Sequence, residues 1–293
     1  MRYYIRNGTL FLRGSFRAAS TGISGGLGQI STIFNRTVST DFDHADPAKY
    51  MDLVVRAEGL SDGYFGLLTA VDMRHLCVLQ YDFITVFVTA GVRHPDPNGP
   101  GTINIIVHSR EGMTDGALLE AIITATEAKA GALYAMGYDF SGTTTDAVIV
   151  ASEGDAARHA YAGSLTEVGR RVHAAVRHGV PEALKRQQGE IEGGHPAFFI
   201  FSTIGGEERW VEWRPEGCPY YPCHFEGQRC DFCYCPCYPC RDEELGEWVQ
   251  SSRGGTVWSC TACTLLHIPA VVEYMKRNPE VPVRELKRFR DRL

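Results

Sequence analysis

Residues Gly101–Ala151 constrain the fold more than any other stretch. GTINIIV opens it, DGALLEAIITATEAKAGALYAMG fills its middle and SGTTTDAVIVA closes it. Thr102–His108 and Ala147–Ala151 are apolar runs of strand length. Between them Thr114 or Asp115 is the expected N-cap of a long helix, and Gly137 stands where a left-handed C-terminal residue belongs. Leu118, Ile122, Ala125 and Leu133 share one helical stripe, whereas Glu120, Thr124 and Glu127 recur along another. Lys129 is the lone basic residue of this helix, so the second stripe is polar without the mixed charge of an ordinary solvent face. Asn104, a polar side chain inside an apolar run, requires a partner, either in the protein or in a ligand. Thr143-Thr144-Thr145-Asp146 sets three hydroxyls beside a carboxylate where the second run begins. Such a cluster supplies a nucleophile or oxyanion donors, or it reflects β propensity with Asp146 as a turn acceptor.

The chain around this stretch reads as a mixed sheet covered by helices, in the α/β or α+β class. Asn7-Gly8 between Tyr3–Arg6 and Thr9–Arg13 predicts an opening hairpin. The glycines of Gly22–Gly28, Gly25 and Gly26 among them, make a turn or a loop able to approach a planar ligand closely. Asp46 and Pro47 start a helix that ends at Gly59, while Asp41, Asp43 and His44 just before it are candidates for proton transfer or metal binding. Gly66–Val71, Leu76–Gln80 and Ile84–Thr89 read as neighbouring antiparallel strands, with Asp72, Thr89 and Gly91 at strand ends where a scaffold presents groups to a ligand. His94–Gly101 is a loop by composition. Ser164–Glu167 fits a capping box for a helix to His178, and Pro181–Arg186 reads as a separate short helix. Residues 187–194, polar and glycine-rich, are the expected linker between a unit of residues 1–186 and a second of residues 195–293. Phe198–Thr203 and Arg209–Trp213 form a probable hairpin opening that second unit.

Nine of the ten cysteines fall between Cys218 and Cys263. Cys230/Cys233, Cys237/Cys240 and Cys260/Cys263 are Cys-x2-Cys pairs, each able to place two thiolates on one turn, and Cys263-x3-His267 follows. Cys218, Cys223, His224 and Cys235 complete a donor set suited to structural zinc, with an iron–sulfur cluster as the alternative. Such a centre staples a small fold. The net charge of −6 argues against nucleic acid as partner, and Asp242, Glu243, Glu244 and Glu247 beside the cysteines argue further against it. No apolar run approaches the ~18 residues of a membrane span, and no signal-peptide pattern is present, so a cytoplasmic protein is expected.

The segments FNRTV, DFDHADP, FGLLTAVDM, VTAGV, GTINIIV, DGALLEAIITATEAKAGAL, GTTTDAVIVA and YAGSLTEVGRRV together resemble the archaeal adenosylcobinamide amidohydrolase family over about residues 1–186. EGCPYYPCHFEGQRCDFCYCPCYPC is similar to a small cysteine-rich domain fused to such enzymes. The resemblance implies hydrolysis of the amide joining a corrin ring to its aminopropanol, giving adenosylcobyric acid and 1-amino-2-propanol in corrinoid salvage. The substrate brings its own cobalt, so no catalytic cofactor is expected. Arg36 departs from the pattern, since FNxTV in the family carries histidine there. The chemistry needs an attacking oxygen, oxyanion donors and an acid for the departing amine. Glu127 or Asp146 is expected to activate water, Thr143 and Asn104 to stabilise the oxyanion, and Lys129 or His44 to assist the leaving group, with Thr143 as nucleophile in a covalent alternative. Gly25, Gly26, Asn35, Asp72, Thr89 and Gly91 are expected to contact the corrinoid. Asn104, Glu127, Lys129, Thr143 and Asp146 should therefore converge in space. A corrinoid carrier with a docking module is the competing reading, and self-association stays open.

Overall fold

A computed structural model describes residues 1–42, 45–60, 63–92, 101–154, 158–192, 194–204, 207–213, 218, 220–232, 235–250 and 256–293. The chain divides into two compact units, the first ending at Trp213 and the second running from Arg214 to Leu293.

The first unit is built on a mixed sheet of ten strands. These are β1 (Arg2–Arg6), β2 (Thr9–Ser20), β3 (Gly26–Thr37), β4 (Tyr64–Thr69), β5 (Cys77–Tyr81), β6 (Ile84–Gly91), β7 (Thr102–Ser109), β8 (Ala147–Ser152), β9 (Ala197–Ile204) and β10 (Glu207–Trp213). Their order is β10-β9-β5-β6-β7-β8-β2-β3-β4, with β1 alongside β2. Asn7 and Gly8 take φ of 49° and 68°, the left-handed pair that turns β1 into β2. The central β7 and β8 are parallel, joined by α2 (Asp115–Ala135), which Thr114 caps by accepting from the amide of Ala117.

Alternation along the strands sorts two cores. Ile103, Ile105 and Val107 of β7 face α2 and α3 (Glu167–Gln187), packing with Leu118, Ala121, Ala125, Val172, Val176 and Val180. Ile106, on the opposite face, packs with Leu10, Leu12 and Phe16 of β2 and Ile33 of β3. A register shift between Arg13 and Phe16 marks the irregularity at which β2 bends. On this face Tyr3 of β1 meets Phe87 of β6 edge-on, and Leu10 and Ile33 share a cluster with Val78 of β5 and Phe87. Beyond it, α1 (Pro47–Ala57) buries Met51 and Val55 against Phe11 and Phe34. Asp46 caps α1 and Pro47 takes its first position, as the sequence predicts.

Three expectations are corrected. β4 does not adjoin β5; it pairs in parallel with β3 at the far end of the sheet, because the apolar runs alone carry no information on strand order. Pro181 does not start a new helix, for α3 runs unbroken from Glu167 to Gln187. Gly179, read as a stop, marks a close approach instead: a β-carbon there would lie 2.6 Å from Leu79 Cδ1 and 3.1 Å from Val88 Cγ2. Finally, the hairpin of β9 and β10 does not open the second unit, since β9 pairs in parallel with β5 and extends the large sheet. The polar stretch at 187–194 is a loop leading into that strand, and the division between units falls after Trp213.

The second unit packs Leu265, Leu266, Val271, Met275, Val281 and Leu286 into a small core under α4 (Pro269–Arg277) and α5 (Val283–Arg290), beside the hairpin of β11 (Glu247–Gln250) and β12 (Thr256–Ser259). Among the described residues no helix is long and apolar enough to cross a membrane.

Candidate active site

At the entrance of β8, Asp146 is held by four donors. Its Oδ2 accepts from Lys129 Nζ at 2.5 Å and from the amide of Thr143 at 3.0 Å, and its Oδ1 from Thr143 Oγ1 at 2.6 Å and the amide of Ile103 at 2.8 Å. The Lys129 and Asp146 side chains are only 8% and 9% exposed, so this is a nearly buried ion pair. Thr143 Oγ1 also lies 2.7 Å from the carbonyl oxygen of Gly101, so its single proton is shared between that carbonyl and the carboxylate. Thr145 donates to the same carbonyl at 2.8 Å and stands 2.7 Å from Thr102 Oγ1. The tightness of the loop depends on Gly142, where a β-carbon would come within 2.4 Å of both Asp146 Oδ2 and Lys129 Nζ.

A second polar node lies on the other face of the sheet. Asn35 of β3 donates to Thr89 Oγ1 of β6 at 2.9 Å. Asn104 Nδ2 donates to Asn35 Oδ1 at 3.0 Å and to the carbonyl of Leu68 at 2.9 Å. All three side chains are buried, and Asn104 Oδ1 has no hydrogen-bond partner among the described residues. A buried carbonyl oxygen without a donor is costly, so this node is more than a packing detail.

The expected convergence of five residues is therefore corrected. Lys129, Thr143 and Asp146 meet, on the face that α2 covers. Asn104 points to the opposite face, because strand alternation turns it away from Ile103 and Ile105. Glu127 is exposed on α2, two residues from the buried Lys129 and hence on another side of the helix. The polar stripe that suggested Glu127 is used for tethering: Glu120 accepts from the amide of Ala162 at 2.7 Å and Thr124 donates to its carbonyl at 2.8 Å.

The other expected contacts are spread along the strand ends. Asn35 and Thr89 join Asn104 in the inner node. Gly25 and Gly26 form the turn from β2 to β3, where the backbone of Thr21 pairs with Val148 just past Asp146. Gly91 ends β6 and lies against Val71. Asp72 caps a short turn through the amide of Arg74, and the hydrogen bond from the Arg74 guanidinium holds its carboxyl below the ordinary range. Arg36 donates to Thr9 Oγ1 at 2.9 Å and to the carbonyl of Asn7, so it braces the β1–β2 turn. Asp41 lies just before the helix start, whereas Asp43, His44 and residues 93–100 fall outside the described residues. Sequence reasoning missed the amide of Ile103, the carbonyl of Gly101 and the glycine at 142, since backbone groups and close approaches leave no periodic signal.

In the second unit, the donors are gathered in small sets. Gln228, buried, donates through Nε2 to Cys223 Sγ at 3.2 Å and Cys230 Sγ at 3.3 Å. The rings of His224 and His267 lie 4.5 Å apart. Cys235, Cys237, Cys240 and Cys263 pack against the apolar core of this unit. Cys218 is half-buried, and Cys233 lies outside the described residues. Among the described residues no three His, Cys, Asp or Glu side chains are drawn closely enough together to hold an ion.

Comparison with known proteins finds a separate family along each part of the chain. Residues 9–192 match the family model described as adenosylcobinamide amidohydrolase, and residues 209–290 match one described as a cysteine-rich small domain. An adenosylcobinamide amidohydrolase of Methanosarcina mazei is 42% identical over 196 residues, 63% of this chain and 98% of that protein. One from Halobacterium salinarum is 32% identical over 185 residues, 57% of this chain and 80% of its own length. A probable cobalt-factor III C(17)-methyltransferase of Methanothermobacter thermautotrophicus is 53% identical over 64 residues, 22% of this chain but 17% of that protein. No solved structure matches. With most of its first unit matched end to end, the chain belongs to the adenosylcobinamide amidohydrolase family.

Proposed function

We infer that this chain hydrolyses the amide between the corrin ring and the aminopropanol of adenosylcobinamide, releasing adenosylcobyric acid and 1-amino-2-propanol. The family match carries the reaction class, a hydrolase acting on a linear carbon–nitrogen bond in corrinoid salvage. For the chemistry, the observation that supports the reading is the set of donors around Asp146. A carboxylate that already accepts from Lys129, Ile103 and the amide of Thr143 offers little room to a water. The one proton it can readily take is that of Thr143 Oγ1, and losing it makes that oxygen a nucleophile.

Thr143 Oγ1 then attacks the amide carbon while its proton passes to Asp146 Oδ1. The C–N bond breaks as the nitrogen takes up a proton, aminopropanol leaves, and water cleaves the resulting ester to give the carboxylate and restore the hydroxyl. Lys129 fixes the carboxylate and balances its charge, a positioning role rather than direct attack. The Asn35–Thr89–Asn104 node and the β2–β3 turn are proposed as corrinoid contacts, a ring bearing many amides being able to satisfy Asn104 Oδ1.

Turnover of adenosylcobinamide by Thr143→Ala and Thr143→Ser tests the assignment. The alanine variant is expected to lose at least about 10³-fold, and the serine variant to retain measurable activity with an ester-linked corrinoid trapped on rapid quenching. Near-native turnover by folded Thr143→Ala would overturn the covalent route in favour of attack by water.

The second unit is proposed to bind structural zinc under reducing, cytoplasmic conditions. The Cys-x2-Cys spacings support this reading, as does one donor's orientation: His267 Nδ1 lies 2.8 Å from the carbonyl oxygen of Arg229, so Nδ1 carries the proton and Nε2 is left as a metal-binding lone pair, although no three donors are drawn together among the described residues. Zinc there would hold the fold together and take no part in hydrolysis.

A further inference from the structure

We propose that Thr145 is a positioning residue for the nucleophile: its hydroxyl, held in turn by that of Thr102, occupies the Gly101 carbonyl and so directs the proton of Thr143 Oγ1 toward Asp146. This rests on the covalent route above and adds to it what decides the direction of that proton.

The direction of each proton in the cluster follows from counting donors. A carbonyl oxygen only accepts, so Thr145 Oγ1, 2.8 Å away, donates to that of Gly101. A hydroxyl has one proton, and that of Thr145 is thereby used. At its 2.7 Å contact with Thr102 Oγ1, Thr145 is left to accept, so Thr102 donates. The result is a one-way chain from Thr102 through Thr145 to the Gly101 carbonyl, and in such a chain each bond polarises the next.

Thr143 stands at the end of this chain between two acceptors. Its Oγ1 lies 2.7 Å from the Gly101 carbonyl oxygen and 2.6 Å from Asp146 Oδ1. A proton lying toward the carbonyl leaves the hydroxyl inert. Only a proton lying toward the carboxylate can pass to Oδ1 as Oγ1 bonds to the amide carbon, and Thr145 and Thr102 keep their own protons throughout. The carboxylate is the stronger acceptor by charge. That orientation, however, turns a lone pair of Thr143 Oγ1 toward the carbonyl oxygen, and two electron-rich atoms then face each other at 2.7 Å. The Thr145 proton offsets part of this repulsion, and a carbonyl already serving one donor competes less for a second. Both effects favour the productive direction.

Close packing keeps the arrangement from relaxing. At Gly101 a β-carbon would lie 2.7 Å from the carbonyl oxygen of Gly91 and 3.2 Å from both Val92 Cα and Thr143 Cγ2. The Gly101 peptide is thus confined, and the Thr143 methyl set against it holds the stiff threonine rotamer that leaves Oγ1 between its two acceptors. The three consecutive threonines accordingly do different work. Thr143 is half-buried beside Asp146, Thr145 reaches back to the Gly101 carbonyl, and Thr144, exposed between them, takes no part in these bonds.

The test is hydrolysis of adenosylcobinamide by the full chain, in steady state and in a single turnover, for variants that keep the shape of threonine and remove its hydroxyl. Thr145→Val is expected to lower kcat and the single-turnover release of aminopropanol by at least about threefold, the scale of one neutral hydrogen bond, with KM and the urea midpoint unchanged. Thr145→Ser, which keeps the hydroxyl, and Thr144→Val, the same substitution one residue away, should both stay within about twofold of wild type. Thr102→Val should lose less than Thr145→Val and more than Thr144→Val, and any other order would overturn the chain. A smaller loss in Thr145→Val would overturn the positioning role. So would a loss carried by KM, which marks contact with the substrate, or a lowered urea midpoint or a serine variant no better than valine, which mark a structural role. Turnover by Thr143→Ala reads the covalent route separately: activity there would overturn that route and this assignment with it, whereas an inactive Thr143→Ala beside an unaffected Thr145→Val would overturn this assignment alone.

Discussion

Asp146 and His178 are both ionisable groups taken largely out of water, and the surroundings of each decide what it does. Asp146 has polar company, with an ammonium, two amides and a hydroxyl turned toward it. His178, on α3, has apolar company instead: its ring stacks on Trp210 at 5.4 Å and meets Phe199 edge-on, and its Nε2 has no hydrogen-bond partner. Burial, aided by the positive charge of Lys185, pushes its pKa from the ordinary 6.5 down to about 4. The folded chain therefore refuses a proton that the unfolded chain accepts once the pH falls below 6.5. Stability should decline with falling pH from about 6.5 to about 4 and level off in this respect below that. Denaturant midpoints measured across pH 7 to 4 check this. His178→Phe, which keeps the stack, is expected to flatten that part of the curve, and an unchanged slope in the variant would locate the acid sensitivity elsewhere.

Elements were legible where chemistry is local. The Asn7-Gly8 turn, the Asp46-Pro47 start of α1, the Thr114 cap and the strands either side of α2 all follow from neighbouring residues. Strand order was not, because β4 and β5 carry similar apolar runs and only the bend of β2 sends them to opposite parts of the sheet. The same distinction explains the site. The Thr143–Asp146 cluster is contiguous and could be read, whereas the separation of Asn104 from Lys129 depends on which face each strand residue presents. Two glycines of α3, Gly179 and Gly169, serve close contact rather than helix termination. At Gly169, in the first turn of α3, a β-carbon would lie 2.0 Å from the carbonyl oxygen of Gly163 and 2.6 Å from that of Ala162. That loop cannot retreat, because Glu120 and Thr124 of α2 grip both polar backbone groups of Ala162. Gly169→Ala is thus expected to destabilise the fold by about 1–3 kcal/mol despite alanine's better helix propensity, read as a lower urea midpoint. A stabilised variant would show that the loop is free to shift.

For the whole molecule, where the units divide determines what can be removed. The Methanosarcina relative is matched over 98% of its length by 63% of this chain, and the family match itself ends at residue 192, before β9. Every residue proposed for hydrolysis belongs to the first unit. The boundary suggested by the polar stretch at 187–194 would nevertheless be the wrong place to cut. Ending there removes β9 and β10, strips the parallel partner from β5 and uncovers the face on which Ala197 and Phe199 are buried with α3. An exposed β5 edge with apolar surface beside it favours association between copies. A chain of residues 1–213 should accordingly remain monodisperse and turn over adenosylcobinamide within about threefold of the full chain, the scale expected when none of the residues proposed for hydrolysis is removed. A chain of residues 1–194 should aggregate or yield poorly. Comparing the two by light scattering and steady-state turnover separates the alternatives: equal behaviour would mean that the β9–β10 hairpin is dispensable to the sheet, and loss of turnover in folded 1–213 would bring the cysteine-rich unit into the catalytic cycle.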